Sequence, residues 1–348
     1  MKAYILHGIN DLKYEEINIP EVPEGWVLVE VKAAGICGSD IPRIFETGTY
    51  HFPTIPGHEF SGIVRKTADD GNKDIIGKRV GVFPLIPCGK CECCVQEKYE
   101  LCNNYDYLGS RRDGGFAEYV LVPEWNLIEI PENVSFEEAT MLEPMSVGIH
   151  ALRRMDVERK KISNIIIYGL GPIGMMMAQW ARILKIDNIY LVGNKDAQMQ
   201  TVGKLGFENI CDASKKNPVN WIMELTNGHG VDVAVEGVGA NSVFSQALES
   251  VKAEGNVLIV GNPKEDLSLD KKIFWKIHRK QLKIYGSWNS SFTKKSDDDW
   301  HTSLEALSSG KMKAKGLITH KLEFNDLFSG LEIMKNKKEY SCKVMIIR

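Results

Sequence analysis

The sequence predicts a two-domain α/β protein, in which a β-rich domain precedes a doubly wound parallel sheet. Short apolar runs broken by Gly and Pro extend to residue 122, whereas strand-like and helix-like segments alternate from residue 164 onward. Such alternation is typical of a parallel sheet with helices on both faces. The length of 348 residues suffices for two domains, at about 100 to 200 residues each. We expect domains at 1–143 and 144–286, with 287–348 returning to the first.

The first domain is predicted from β-rich runs bounded by Gly and Pro, which are typical of antiparallel strands and loops. The predicted strands are 26–33, 60–66, 79–83 and 116–122. A helix should then begin at Ser135, because Ser135 and Glu138 have the spacing of a capping box, and it should continue to Arg154.

The second domain is predicted from apolar strands separated by a helix-like segment. The predicted strands are 164–168, 188–192, 232–235 and 256–260, and a helix at 173–184 follows the first of them. The last apolar run, 342–347, is a further strand, which we expect to join the first domain.

The composition is that of an ordinary globular protein and speaks against two classes of partner. Hydrophobic residues make up 43% and charged residues 26%, and the formal net charge is -3, so nothing attracts the chain broadly to nucleic acid or to an anionic membrane. No apolar run reaches the roughly 18 residues of a membrane span, and Met1 to Leu12 lacks a signal-peptide pattern. We therefore expect a cytoplasmic protein, in a compartment where free thiols persist.

Four closely spaced cysteines predict a structural zinc site. Cys88, Cys91, Cys94 and Cys102 are separated by two, two and seven residues, so one loop can supply four thiolates. Zinc binds such a set as a closed tetrahedron, without a position for substrate. A fifth thiol, Cys93, leaves open a shifted set of ligands, and disulfides are the other alternative.

A glycine-rich loop predicts a dinucleotide-binding site between the strand at 164–168 and the helix at 173–184. Its glycines would permit a tight turn, close approach of a pyrophosphate and close packing of the helix, whose N-terminus offers free N–H groups. The alternative is a plain glycine-rich turn. The candidate cofactor-binding residues of the loop are Gly169, Gly171, Pro172, Ile173 and Gly174.

The residues after the second strand predict which cofactor is used. Proteins that bind NAD place an acid there, about 20 residues after the glycines, to bind a ribose hydroxyl. This chain has Gly193, Asn194 and Lys195, which omit the carboxylate that would repel a 2'-phosphate, so NADP is favoured over NAD. Asp196 would favour NAD if the turn were one residue longer. Lys343 is either a weaker candidate for a cofactor phosphate or a solvated surface lysine.

A second group of metal-binding residue types predicts a catalytic zinc, and hence two zinc ions per chain. Cys37 and His58 are the firmest ligands, while Glu59 and Glu143 are oxygen donors of which either could bind directly or through water. A catalytic zinc needs about three protein ligands and one exchangeable position. Each residue alone would indicate little, since a single cysteine is usually a core residue and a single glutamate is usually solvated. The prediction depends on their joint occurrence.

The order of these motifs resembles that of the zinc-dependent medium-chain dehydrogenase/reductase superfamily, from about residue 3 to residue 347. The matching segments are 37–40, 57–59, 88–102, 114–119, 143–144 and 169–174. The resemblance implies a GroES-like catalytic domain, a Rossmann cofactor domain and an active site in the cleft between them. It also implies a homodimer or homotetramer and hydride transfer between an alcohol carbon and nicotinamide.

Position within these motifs also implies residue roles. Ser39 resembles the hydroxyl that relays the substrate proton, and Asp40 resembles the acid that orients His58 and so makes it a better ligand. Glu143 stands where simple alcohol dehydrogenases have a cysteine, which implies the polyol branch that includes sorbitol dehydrogenase. The implied catalytic set is Ser39, Asp40, His58 and Glu59.

Three segments are similar to the galactitol-1-phosphate 5-dehydrogenase family, namely 42–45, 109–116 and 286–288. Arg43, Arg111 and Arg112 could form an anion clamp for a substrate phosphate, because guanidinium groups bind phosphate through paired hydrogen bonds. Trp288 would be a further substrate contact. That family uses NAD, whereas residues 193–195 favour NADP, so a related sugar-alcohol phosphate dehydrogenase with another cofactor is implied.

The arginines also have a purely structural interpretation. Arg111 and Arg112 would then pair with acids such as Asp113 or Glu118, and Arg43 would have no contact with substrate. The sequence thus predicts oxidation of a secondary hydroxyl of a polyol, phosphorylated as in galactitol 1-phosphate, to a ketone. The alternatives are an unphosphorylated, sorbitol-type polyol dehydrogenase, a threonine-type dehydrogenase, and a zinc-stabilised nucleotide-binding module without turnover.

Overall fold

The computed structural model describes residues 1–159, 161–263 and 265–348, and these divide into two compact units. The first unit consists of Met1–Glu143, Ser291–Gly310 and Leu317–Arg348, and the second consists of Pro144–Ser290 and Lys311–Gly316. Among the described residues, no helix combines the length and the apolar character needed to cross a membrane.

The elements are numbered in chain order. The strands are β1 Lys2–Gly8, β2 Asp11–Glu16, β3 Trp26–Ile36, β4 Glu59–Thr67, β5 Arg79–Val82, β6 Leu85–Ile86, β7 Asp106–Tyr107, β8 Tyr119–Pro123, β9 Leu127–Glu129, β10 Asn164–Tyr168, β11 Asn188–Gly193, β12 Ile210–Asp212, β13 Val231–Glu236, β14 Val251–Ile259, β15 Lys283–Gly286, β16 Ile318–Glu323 and β17 Lys343–Ile347. The α-helices are α1 Asp40–Pro42, α2 Glu92–Val95, α3 Phe136–Thr140, α4 Leu142–Arg153, α5 Pro172–Ile183, α6 Asp196–Lys204, α7 Pro218–Leu225, α8 Asn241–Ser250, α9 Lys271–Arg279, α10 Asp299–Ser308 and α11 Leu327–Asn336.

The first unit is built on a mostly antiparallel sheet with the strand order β16, β17, β3, β4, β5, β9, in which β8 also pairs with β3. Along β3, Val27, Val29 and Val31 are buried on one face of the sheet, and Leu28 and Glu30, which face the other side, are buried as well. The last strand, β17, pairs antiparallel with β3 and places Val344 opposite Ile36. The end of the chain is thereby built into the core of this unit.

The second unit contains a parallel sheet, whose order within the described residues is β12, β11, β10, β13, β14, β15. Ile165, Ile166 and Ile167 of β10 are fully buried, as expected for a strand covered by helices on both faces. The strand order runs outward in both directions from β10, so a crevice opens at the carboxyl ends of β10 and β13. The predicted combination of a β-rich part with a doubly wound parallel sheet is confirmed.

Several predicted elements differ from those observed; the strand predicted at 256–260, for example, is β14 and already begins at Val251. The strand predicted at 116–122 begins at Tyr119, because Phe116 accepts a hydrogen bond from Tyr4 on β1 (2.9 Å) instead of joining β8. The helix predicted from Ser135 begins there with the expected capping box, in which the Ser135 hydroxyl accepts from the Glu138 amide. It is interrupted after Thr140, since Pro144 has no N–H to donate to the Thr140 carbonyl.

Candidate metal and cofactor sites

The four spaced cysteines converge in the first unit. The Sγ atom of Cys91 lies 3.5 Å from that of Cys94 and 3.8 Å from that of Cys102, and the Cys88 and Cys94 sulfurs are 3.9 Å apart. Four sulfurs bound to zinc at about 2.3 Å form a tetrahedron with edges of roughly 3.8 Å. The arrangement therefore fits a zinc ion without rearrangement.

In the loop that carries these four cysteines, here called the cysteine lobe, backbone amides stabilise thiolates, and Cys93 lies outside the group of four. Amide groups of Asn103 and Cys94 donate to Cys91 and lower the pKa of its thiol to about 6. Cys93 is not part of the group of sulfurs that could share a metal ion. Cys93 and Cys94 are consecutive on α2 and so project in different directions, with Cys94 buried toward the other ligands. The geometry favours Cys94 over the shifted set.

A second group of potential ligands is formed at one end of the β3–β4 pair. Cys37 follows β3, His58 precedes β4, and Glu59 is the first residue of β4, where it lies opposite Gly35. One ligand atom from each of the three residues lies within 4.8 Å of the other two. The 20 residues between Cys37 and His58 are thus the connection between two neighbouring strands. A soft sulfur, an imidazole and a carboxylate are ligands that suit zinc.

Asp40, at the start of α1, contacts both His58 and Cys37. It is fully buried, its Oδ1 lies 3.4 Å from Nδ1 of His58, and its Oδ2 accepts a hydrogen bond of 2.9 Å from the Cys37 amide. Burial lowers the pKa of His58, but the charges of Asp40 and Cys37 outweigh that effect and raise it well above its usual value. Ser39, which precedes Asp40, is exposed.

Lys343 corrects one expectation. It is the first residue of β17 and only 3% exposed, so the interpretation as a solvated surface lysine is wrong. Its Nζ atom forms an ion pair with Oε2 of Glu59. The β17–β3 pairing brings it there, because Val344 faces Ile36 and the preceding residue therefore lies beside Cys37. A contact between Lys343 and a cofactor phosphate stays a prediction.

Glu143 lies apart from the group of three. It is buried and accepts a hydrogen bond of 3.4 Å from the hydroxyl of Tyr107, whose ring centroid lies 5.9 Å from that of His58. Burial raises the pKa of Glu143 to about 7, against the opposing charge of His58. Sequence reasoning did not single out Tyr107, since a tyrosine outside any motif gives no signal of its position.

The three arginines predicted to bind substrate all have partners within the protein. Arg43 donates to Oδ1 of Asp40 (3.2 Å), and Arg112 pairs with Asp106 (2.8 Å). The guanidinium of Arg111 lies between two rings, 3.8 Å from the centroid of Tyr50 and 4.6 Å from that of Tyr105.

The acids expected to pair with these arginines are used elsewhere. Asp113 accepts a hydrogen bond of 2.9 Å from the Ile55 amide, and Glu118 pairs with Arg348 at 2.9 Å. The expectation that Arg111 and Arg112 pair with Asp113 or Glu118 is therefore wrong. Trp288, in the second unit, is 55% exposed and available for contact.

The glycine loop of the second unit has the geometry that its sequence predicts. Gly169 has φ +100°, a conformation that disfavours residues with a side chain. Gly171 is the N-cap residue before α5, and a Cβ there would meet open space, so that a ligand can approach its backbone. A Cβ atom on Gly174 would overlap the carbonyl oxygen of Gly169, which explains the third glycine. Pro172 and Ile173 form the first turn of α5.

A cavity of about 330 Å³ opens at this loop, at the carboxyl ends of the parallel strands. A Cβ on Gly193 would lie 2.7 Å from the end of the Leu170 side chain, which would have to shift to admit a larger residue at that position. Asp196 lies outside the lining, with its side chain 77% exposed and 4.0 Å from Lys215. None of the described residues that line this cavity is acidic. The lining residues are Tyr168, Gly169, Leu170, Gly171, Val192, Gly193, Asn194, Lys195, Gln198, Ala213, Gly237, Val238, Val243 and Gln246.

Comparison with known proteins identifies the family. The alcohol dehydrogenase GroES-like domain matches residues 23–132, and the zinc-binding dehydrogenase domain matches residues 172–309. Galactitol 1-phosphate 5-dehydrogenase of Escherichia coli (strain K12) is 30% identical over 325 residues, which are 93% of this chain and 93% of that protein. The chain is a zinc-dependent medium-chain dehydrogenase. It belongs to the polyol dehydrogenase branch, as the sequence predicted.

Further similarities extend over the whole of this dehydrogenase. Sorbitol dehydrogenase of Bacillus subtilis (strain 168) is 31% identical over 352 residues, covering 99% of this chain and 97% of that protein. The crystal structure of galactitol-1-phosphate dehydrogenase from Escherichia coli matches 100% of both chains, with a TM-score of 0.92 and 29% identity. The dehydrogenase is thus an oxidoreductase that acts on a CH–OH group, and the alternative of a module without turnover is wrong.

Two solved relatives of this dehydrogenase carry different nicotinamide cofactors. A short chain alcohol dehydrogenase from E. coli CFT073, complexed with NADH, matches 100% of this chain with a TM-score of 0.89 and 26% identity. A zinc-binding dehydrogenase from Sinorhizobium meliloti 1021, bound to NADP, matches 100% with a TM-score of 0.88 and 26% identity. The family therefore binds NAD(P), and relatives of similar distance include both forms.

Proposed function

We propose that this dehydrogenase oxidises a secondary hydroxyl of a sugar-alcohol phosphate, such as galactitol 1-phosphate, to the ketose phosphate, with NADP as the hydride acceptor. The observation that carries the proposal is the convergence of Cys37, His58 and Glu59 on one point, backed by the buried Asp40. Similarity to galactitol 1-phosphate 5-dehydrogenase and to sorbitol dehydrogenase supports a polyol substrate.

Two groups of residues would each bind one metal ion, and the two ions would have different roles. Cys37, His58 and Glu59 would hold the catalytic zinc, with Glu143 as a further oxygen donor, and the four-cysteine lobe would hold the structural zinc. When bound, the catalytic zinc supplies a Lewis acid that lowers the pKa of an alcohol, and the cofactor supplies the hydride acceptor. Asp40, whose Oδ1 lies 3.4 Å from Nδ1 of His58, would favour one orientation of the imidazole as a ligand.

The proton of the substrate hydroxyl needs a route to solvent. Ser39 is exposed and lies two residues from Cys37, at the N-cap position of α1. Its hydroxyl can accept the proton from the substrate and pass it to water, because a hydroxyl is both donor and acceptor. The reaction then balances: the substrate loses a hydride and a proton, and the ketone forms.

The choice of NADP is supported by the cavity beside the glycine loop, where Asn194 and Lys195 stand without an acidic neighbour in the described lining. Lys195→Ala should lower kcat/KM with NADP about tenfold and leave NAD nearly unchanged, since an ion pair of that kind with phosphate is worth about 1.5 kcal/mol. Lys204→Ala, at the far end of α6, is the matched control. A preference of the wild type for NAD would contradict the assignment.

The phosphate of the substrate is assigned to Arg43, which of the three candidate arginines is the closest in sequence to Cys37 and has a side chain only 22% exposed. Steady-state kinetics with galactitol 1-phosphate, galactitol and sorbitol test this assignment. We expect Arg43→Ala to lower kcat/KM about ten- to a hundredfold for the phosphate alone, while Arg65→Ala, which loses only a contact with Glu30, has no effect. An equal loss for all three substrates would mean that Arg43 acts through Asp40.

A sorbitol-type activity on unphosphorylated polyols is the second candidate. It is favoured by the partners that the structure already gives to Arg43, Arg111 and Arg112, because a phosphate would have to compete with those contacts. The same kinetic series decides between the two. A higher kcat/KM for sorbitol than for galactitol 1-phosphate would support the second candidate and contradict the first.

We further infer that the enzyme works as a homodimer or homotetramer in the cytoplasm. The oligomeric state is supported by the family, and the compartment by four closely spaced cysteines with the spacing of metal ligands, which suits a reducing environment. Light scattering coupled to gel filtration measures the oligomeric state, and a monomer would contradict the inference. Fractionation of the source cells tests the compartment.

A further inference from the structure

The ion pair between Lys343 and Glu59 is buried and joins distant parts of the chain. The two side chains are 3% and 1% exposed, and the residues are 284 positions apart. Gly35 lies beneath the pair, and a Cβ there would overlap Oε2 of Glu59. The Glu59 carboxylate therefore lies between the ammonium of Lys343 on β17 and the backbone of Gly35 on β3, which has no side chain.

The side chains around this pair carry more negative than positive charge when the acidic groups are ionised. Cys37 as a thiolate, Asp40, Glu59 and Glu143 supply four negative charges, of which Asp40, Glu59 and Glu143 are buried. Arg43 contacts Asp40, while Lys343 contacts Glu59 and also interacts with Cys37 and Glu143. With His58 neutral and all four acidic groups ionised, as metal binding requires, two positive charges face four negative ones, and a divalent cation bound at the same place makes the sum zero. Burying charge is costly unless it is compensated.

We propose that Lys343 is a positioning residue for the metal centre: its ammonium occupies one oxygen of Glu59, leaves the carboxylate a single donor for the metal, and supplies the charge that lets Glu143 stay nearby. The inference rests on the proposed zinc site of Cys37, His58 and Glu59. Without the ammonium, Glu59 and Glu143 repel each other and the carboxylate is free to turn. A neighbour that orients a ligand typically contributes about 10- to 100-fold to metal affinity.

Metal titration of the apoprotein tests this role without substrate or cofactor. Zinc is added to the metal-free wild type in competition with a chromophoric chelator, and Cys37→Ser identifies which binding event belongs to the catalytic site. We expect Lys343→Met to raise the Kd of that event about 10- to 100-fold and to leave the event of the cysteine lobe unchanged. Lys343→Arg should restore most of the affinity. Lys321→Met is the matched control, because Lys321 lies on neighbouring β16 and pairs with Glu137.

The outcomes separate the two proposals. If the wild type binds only one zinc ion, the proposed catalytic zinc site fails. If it binds two and Lys343→Met has the wild-type Kd values, the role of Lys343 is wrong. If Lys343→Met does not fold, Lys343→Met/Glu59→Gln decides: recovery of a folded chain with zinc in the cysteine lobe supports action through Glu59, since both charges have been removed together. Failure of the double variant to fold would contradict it.

Discussion

Nδ1 of His58 lies 3.4 Å from Oδ1 of Asp40, and both side chains are shielded from solvent. The other oxygen of the same carboxylate accepts the backbone N–H of Cys37. One acid thus holds two proposed ligands, one through its imidazole and one through its backbone. Burial alone would raise the pKa of Asp40, but His58 and Arg43 outweigh that effect and hold it below its usual range. The lowered pKa favours the ionised form of Asp40.

Replacement of Asp40 by asparagine should weaken the catalytic zinc site about 10- to 100-fold and lower kcat/KM to a similar extent. The shape of the side chain is kept, but the charge that orients the imidazole is lost. Chelator competition gives the zinc Kd, and steady-state assays give kcat/KM. Asp11→Asn removes only an exposed pair with Lys13 and serves as the control. Wild-type affinity in Asp40→Asn would show that His58 does not depend on this acid.

The cysteine lobe should lose its metal when one ligand is removed. Cys91→Ser is expected to reduce the zinc content from about two ions to one per chain and to lower stability by about 2 kcal/mol, or roughly 5 °C in Tm. Cys93→Ser, one position before Cys94 on α2, should change neither quantity, because Cys93 lies outside the group of sulfurs. Atomic absorption and thermal denaturation measure both. Zinc loss in Cys93→Ser would favour the shifted set of ligands.

Two glycines of the cofactor loop should respond differently to the same added methyl group. Gly171→Ala has room for its Cβ and ordinary backbone angles, so we expect wild-type stability but at least about tenfold weaker cofactor binding, since the methyl group occupies the approach to the backbone. Gly174→Ala should destabilise the chain by about 1–3 kcal/mol, because its Cβ overlaps the Gly169 carbonyl. Urea denaturation and cofactor titration separate the two effects. Equal destabilisation of both variants would contradict this interpretation of the loop.

The acid sensitivity of the first unit should depend partly on Glu30. Burial raises the pKa of Glu30, but hydrogen bonds from Lys32 (2.7 Å) and Arg65 (2.6 Å) outweigh it, and the net pKa is lowered. A lowered folded-state pKa stabilises the protein above the unfolded pKa of about 4.3, and this contribution disappears as the pH falls through the folded-state value.

Glu30→Gln should therefore cost about 1 kcal/mol at pH 7 and much less at pH 3. Urea denaturation of wild type and variant at both pH values measures the difference. Glu24→Gln, a change at an exposed glutamate, is the control. A cost for Glu30→Gln that is the same at both pH values would show that lost packing, and not charge, is responsible.

Much of the architecture followed from local pattern. The strands at Asn164–Tyr168 and Asn188–Gly193 and the capping box at Ser135 were predictable, because hydrophobic periodicity and capping residues act over a few neighbouring positions. The first and last residues of the elements were less predictable. The start of β8 at Tyr119 depends on Tyr4 of β1, which binds Phe116 from more than 100 residues away.

The residues of the candidate sites were likewise predictable only in part. Cys37 and His58 could be named as ligands because several residue types that bind zinc occur together in this part of the sequence. The neighbours that tune them could not: Tyr107 belongs to no motif, and Lys343 was expected to be either a cofactor contact or a surface residue. The partners of Arg111 and Arg112 were also mistaken, since pairing by sequence proximity ignores the direction of side chains.

By itself, the sequence determined the two-part α/β architecture, the family and the residues able to bind zinc and a dinucleotide, because these depend on residue type and short-range spacing. Tertiary structure alone decided which of Cys93 and Cys94 joins the lobe, that Lys343 is buried against Glu59, and that Arg43 contacts Asp40. The Lys343–Glu59 contact depends on strand register, which brings together side chains 284 positions apart and which no local pattern encodes. The other two depend on the direction in which neighbouring side chains project from a short helix, which residue type alone does not give.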